Sequence, residues 1–116
     1  NVIADYVTKS LEDDKAEDVV IIDLIGKTSI ADTMIIASGS SARMVNAMAE
    51  HIIINLKQLI TNVKTEGRDQ SDWVLIDAGD VIIHLFRPEV RSFYSIEKIW
   101  AVMPGPDLTE ETLLNL

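Results

Sequence analysis

Cysteine is absent from all 116 residues. Disulfides, zinc-thiolate sites and thiol catalysis are thereby excluded, and a reducing, cytosol-like compartment is favoured. Long apolar runs are absent too: none approaches the roughly 20 residues needed to span a bilayer, and no signal-peptide pattern opens the chain. The expected location is the cytoplasm, with no membrane partner. Positive charge is scarce. Ten Lys and Arg stand against nineteen Asp and Glu, for a formal net charge of −9 and a pI near 4.5. Such a molecule repels phosphate backbones, so little direct nucleic-acid contact is expected. Excess acid keeps a protein soluble, and it also suits a basic protein partner.

What is present is ordinary globular material. A hydrophobic share of 47% and a charged share of 25% match a folded domain. The 12.9 kDa of chain can bury one core without help from metal or disulfide. Val2, Ile3, Tyr6, Val7 and Leu11 recur at helical spacing, so a first amphipathic helix is expected to end near Glu12-Asp13-Asp14. Val19 to Leu24 is a near-continuous β-branched run, and Gly26-Lys27 turns the chain toward a second strand from about Thr33 to Ser38. A strand apolar on both faces belongs in the middle of its sheet. Gly39-Ser40-Ser41 stops that strand and offers a helix cap. From Ala42 to Asn62 the set Met44, Val45, Met48, Ala49, Ile52, Leu56, Leu59 and Ile60 keeps the 3.6-residue period, predicting a helix of about five turns. A short strand is expected at Val63 to Glu66, followed by a polar loop to Asp72. A third helical stretch starts at Arg87-Pro88-Glu89, with Phe93, Ile96, Ile99 and Trp100 on its apolar side. Pro104-Gly105-Pro106 breaks it, so residues 1–100 form the expected domain and 101–116 a tail. The order of elements predicts a single small α/β (α+β) domain with a mixed sheet.

Ser71 to Phe86 carries the most information. Two apolar, β-branched runs flank Ala78-Gly79 with an aspartate on either side, the pattern of a tight antiparallel hairpin. With Ala78 and Gly79 as the loop, Asp77 faces Asp80, Ile76 faces Val81 and Trp73 faces His84. Val74, Ile76, Val81, Ile83 and Leu85 then form one aliphatic face, which is core. Trp73, Leu75, Asp77, Asp80, Ile82, His84 and Phe86 form a mixed face. Tryptophan at a strand start, among aspartates, suits an aromatic interface anchor with an acidic rim. Closing the edge of the core would serve equally well, and so would a homodimer contact.

Enzymatic chemistry finds half a motif. Gly39-Ser40 between a strand and a helix, with Arg43 just inside, is where nucleotidyltransferases hold a phosphate at a helix N-terminus. Those enzymes also need two carboxylates at alternate positions on the following strand to share magnesium, and none stand there. Asp77 and Asp80 straddle a turn, which explains them more cheaply. His51, beside the helical stripe, is expected to be partly buried, and His84 to be a hydrogen-bonded structural histidine. Met44 and Met48 are expected in the core.

The chain resembles the bacterial ribosomal silencing factor (Iojap-like) family in a specific order of words. These are Lys15-Ala16-Glu17-Asp18, Asp23 through Asp32, Ile36 through Ser41, Glu66-Gly67, Ser71 through Asp77, Gly79 through His84, and Tyr94 through Trp100. The resemblance implies a nucleotidyltransferase-like fold without the catalytic carboxylates, built on a five-stranded mixed sheet flanked by helices. It also implies no catalysis and no cofactor. Members of the family bind large-subunit ribosomal protein fourteen and block joining of the small subunit when nutrients are short. Carried over by motif, the partner contacts are Trp73, Asp77, the position of Ala78, and Tyr94, with Asp80 on the same rim. Ala78 departs from the larger apolar or aromatic side chain usual at that turn.

Overall fold

The computed structural model describes residues 2–69 and 72–90. Its elements follow the order α1 (Val2–Asp13), β1 (Glu17–Asp23), β2 (Thr33–Ser38), α2 (Ala42–Leu56), β3 (Lys64–Glu66), β4 (Trp73–Asp77) and β5 (Val81–Phe86). The strands form one five-stranded sheet in the order β1-β2-β5-β4-β3. β2 and β5 run parallel, and the other three pairings are antiparallel. The mixed α+β architecture predicted from the pattern is the one observed.

Both helices lie on one face of the sheet. Val7 and Leu11 of α1, and Val45, Met48, Ala49, Ile52, Ile53 and Leu56 of α2, meet the aliphatic face made by Ile35, Ala37, Val74, Ile76, Val81, Ile83 and Leu85. The opposite face is covered differently among the described residues. Leu24 and Ala31, from the connection between β1 and β2, cover Met34, Ile36, Leu75, Ile82 and Phe86 there, with Val90 against them. Residues 88–90 are helical; the remainder of the expected third helix, and the tail, lie outside the described residues.

Three expectations are corrected. The run from Val19 to Leu24 is not central: β1 is an edge strand and Ile21 is 55% exposed. A register break between Glu17 and Val20, with Asp18 at φ +50°, bulges this edge. Together with Glu17, Asp18 and Asp23 it discourages pairing with another strand. Helix α2 stops at Leu56, about four turns, because the chain tightens after it: Leu59 N–H and Ile60 N–H both donate to Leu56 O. Leu59, beyond the helix, is consequently exposed; Met44 in the first turn, expected in the core, is exposed too, and Ile53 takes a core place. His51 is not packed inward. Its side chain is 54% exposed and its Nδ1 lies 2.8 Å from Asp14 Oδ2, tying α2 to the end of α1.

The strand order predicts a contrast. Ile83→Ala, on the central strand, should cost roughly 2–5 kcal/mol in urea unfolding, whereas Ile21→Ala on the edge should stay within about 0.5 kcal/mol of the parent. Equal losses would contradict this arrangement.

Candidate functional site

The β4–β5 hairpin turns one residue later than the sequence pattern indicates. Ala78 N–H donates to Val81 O at 2.9 Å, and Trp73 pairs with Phe86, Leu75 with His84, and Asp77 with Ile82. The loop is therefore Gly79-Asp80, with Gly79 at φ +83°, a left-handed conformation that glycine adopts without penalty. Asp77 helps to set it, its Oδ1 accepting from Gly79 N–H at 2.9 Å. This register moves each pairing by two positions, so both faces keep the membership expected of them. It does relocate Ala78. Expected at the exposed tip, that side chain is 4% exposed and packs in the helical-side core; its methyl group is not available to a partner.

The mixed face is likewise not an open surface. Leu75, Ile82, His84 and Phe86 are buried, and what emerges is partly buried Trp73 at one end and Asp77 and Asp80 at the other. Four residues of extended chain, about 13 Å, separate Trp73 from Asp77.

Phe86, His84 and Gly67 lie against Trp73. Its ring lies against Phe86, with centroids 4.9 Å apart and planes tilted by 31°. Its Nε1–H donates to His84 Nδ1 at 2.9 Å. His84 is the diagonal partner rather than the one directly opposite, and the hydrogen bond expected of it is present. Behind the backbone, Gly67 (φ +85°) lies so close to the Trp73 carbonyl that a Cβ there would collide with it. His84 is wholly buried, and desolvation lowers its pKa from 6.5 to about 3, so the imidazole is neutral.

Charge gathers at both ends. At the tip, Asp80 O accepts from Asp32 N–H at 2.8 Å and Thr33 N–H at 3.1 Å. This brings the exposed Asp32 beside Asp77 and Asp80. No local signal marks Asp32, because the parallel β2–β5 pairing that places it joins segments far apart in sequence. Beside Trp73, Arg87 Nε lies 2.9 Å from Asp72 Oδ1, and its Nη1 lies 3.6 Å from Glu89 Oε2. Tyr94 lies outside the described residues.

The half-motif for nucleotides has a packing explanation. A Cβ on Gly39 would stand 3.0 Å from both Met48 Cε and Val45 Cγ2, so any larger residue would press on them where β2 passes under α2. The helix is capped by Ser41, whose Oγ accepts from Met44 N–H at 3.1 Å, not by Ser40. Arg43 is exposed. Among the described residues no group of three or more His, Asp or Glu side chains could hold a metal ion, and no helix is long and apolar enough to cross a membrane.

Comparison with known proteins finds a match of residues 2–115 to the family model described as "Ribosomal silencing factor during starvation". A Ribosomal silencing factor RsfS from Zymomonas mobilis is 57% identical over 95 residues, covering 81% of this chain and 71% of that protein. A mouse protein named "Mitochondrial assembly of ribosomal large subunit protein 1" is 33% identical over 107 residues, 89% of this chain and 47% of its own length. A crystal structure of a Chromobacterium violaceum protein superposes with a TM-score of 0.82 at 34% identity, covering 96% of this chain and 95% of that one.

The buried imidazole predicts an acid sensitivity. Between pH 6.5 and about 3 the unfolded chain takes up a proton that the folded His84 refuses. Stability from this residue is therefore complete above pH 6.5 and falls as the pH drops, by up to ~1.4 kcal/mol per pH unit. Urea unfolding at roughly pH 7.5 and roughly pH 5.5 should show a smaller decline in His84→Leu than in the parent; identical declines would count against it.

Proposed function

This chain belongs to the ribosomal silencing factor family, and from that premise we propose that it is a translational repressor acting on the large ribosomal subunit. It binds there through ribosomal protein fourteen and sterically blocks joining of the small subunit. The protein is a regulator associated with the ribosome, not an enzyme, as the names of its relatives are those of regulators. That the mouse relative is named for assembly of the large subunit supports the choice of subunit.

The observation that carries the docking site is the exposed remainder of the hairpin. Trp73 is a large, pre-packed aromatic edge with Asp72 next to it, and Asp77, Asp80 and Asp32 stand at the other end of the hairpin, on a chain of net charge −9. A basic protein surface complements that arrangement: the ring supplies apolar contact at one end, and the carboxylates supply attraction and orientation. Tyr94 belongs to the same proposal through the family resemblance. Ala78 does not join the surface, since it is buried; its contribution is to seat the turn that presents Asp77 and Asp80. The alternative, a divergent nucleotidyltransferase using Gly39-Ser40 and Arg43, loses its support, because close packing accounts for Gly39. Free of the ribosome, the same edge could pair two copies; light scattering of the parent against Trp73→Ala reads that contact directly.

Trp73→Ala should abolish co-sedimentation with isolated large subunits, a loss on the order of 30-fold or more for an aromatic anchor, while the circular dichroism spectrum is unchanged. Asp77→Lys should slow association and weaken its salt dependence, with a smaller effect on dissociation. Parent-like binding by Trp73→Ala would refute the proposed face, and a rise in thermal stability with nucleotide and magnesium would revive the enzymatic alternative.

A further inference from the structure

One buried side chain is polar where its neighbours are apolar. His84 sits wholly inside the sheet's smaller core, directly across from Ile36 on β2 and Leu75 on β4. Its Nε2 has no hydrogen-bond partner among the described residues. Its Nδ1 lies 2.9 Å from Trp73 Nε1. An indole nitrogen can only donate, so Nδ1 must be the acceptor, and the proton of the neutral ring then resides on Nε2. Among the described residues that N–H is a buried donor without a partner, and burial of such a donor costs more than one typical hydrogen bond contributes. A leucine at this position, among apolar neighbours, would carry no such penalty. What the histidine supplies that leucine cannot is an acceptor aimed at the Trp73 indole.

We propose that His84 is a positioning residue, locking the Trp73 indole in the single orientation that it presents to its partner. This rests on the docking role given to Trp73 above. The contact with Phe86, with centroids 4.9 Å apart and planes tilted by 31°, is apolar and does not by itself specify which edge of the indole faces inward. The bond to His84 is directional and fixes which edge of the indole faces inward. Gly67 restrains the backbone from behind. Ordering of the anchor is thus completed during folding instead of at the moment of docking, where it would subtract from affinity. Burial also keeps the imidazole neutral down to a pH of about 3, so the acceptor persists at any pH the cell visits.

Binding and stability must then move in opposite directions among variants. His84→Leu removes the acceptor and the unsatisfied donor together. It should unfold at the same or a higher urea concentration than the parent, yet bind isolated large subunits roughly threefold to tenfold more weakly, the worth of one hydrogen bond. His84→Asn places an amide oxygen near the former Nδ1. It should unfold at lower urea because of the space it leaves, yet bind more tightly than His84→Leu. A histidine with a purely structural role would give the reverse ranking. Trp73→Phe breaks the same bond from the other side, and it keeps the test intact should His84→Leu fail to fold. It should lose binding by a similar factor, and His84→Leu added to it should cost nothing more. Parent-like binding by His84→Leu or by Trp73→Phe, or losses that add in the double variant, overturns the proposal. If Trp73→Ala binds like the parent, the docking face itself is wrong; if Trp73→Ala loses binding while His84→Leu does not, only the lock is wrong.

Discussion

The parallel pairing of β2 with β5 is the constraint on which the rest of the structure depends. Every residue of β5 is buried, and the strand is hydrogen-bonded on both sides, to β2 and to β4. Parallel neighbours cannot be joined by a tight turn, so the chain between them crosses the sheet as α2 and returns as β3 and β4. That crossing lays α2 on one face. The other face of β5 must be covered as well, and the connection between β1 and β2 does this with Leu24 and Ala31. The same pairing fixes both ends of the proposed docking edge. At one end Thr33 stands opposite Val81, which seats Asp32 beside Asp80; at the other Gly39 N–H donates to Phe86 O at 2.9 Å, where Phe86 supports Trp73.

Local pattern was enough to place the elements, because helical and strand periods are properties of a few consecutive residues. β2 and the hairpin strands fall where alternation and β-branching put them, and the two faces of the hairpin are divided as expected. A two-position error in pairing left those faces intact because side chains alternate with a period of two. What local pattern could not supply was the covering of those faces. The mixed face looks unpartnered until the β1–β2 connection folds over it, and Ala78 looks exposed until the turn is seen to begin at Gly79. The run from Val19 to Leu24 fails for a related reason: composition measures how apolar a strand is, while neighbours decide whether it is central or at an edge. Val2, Tyr6 and Met44 satisfy helical periodicity yet stay exposed, since periodicity fixes a direction around the axis and not how far the partner layer reaches along it.

Gly39 illustrates how an enzyme-like signature can persist without enzyme chemistry. Strand, glycine, serine and helix in that order suit a phosphate site, but the same order is required wherever a strand must pass closely under the start of the next helix. The contacts of Met48 and Val45 with the position a Cβ would take are sufficient cause for glycine, and Ser41 is sufficient cause for a hydroxyl at the cap. Neither feature then bears on catalysis. The docking proposed for this domain rests instead on the hairpin edge, where the information lies in shape and charge.

At that edge, apolar and electrostatic contributions divide the work by distance. Carboxylates on Asp32, Asp77 and Asp80 are solvent-accessible, so their attraction for a basic surface acts over roughly 8–10 Å at cellular salt and is worth little once contact is made. Trp73 has no influence at that range, but on contact it removes apolar area from water and carries no ordering cost of its own. In the proposed complex the acids would therefore govern how often encounters occur, and the ring how long they last. Any weakening of the lock beneath Trp73 would shorten complexes without making them rarer, whereas raised salt would make them rarer without shortening them.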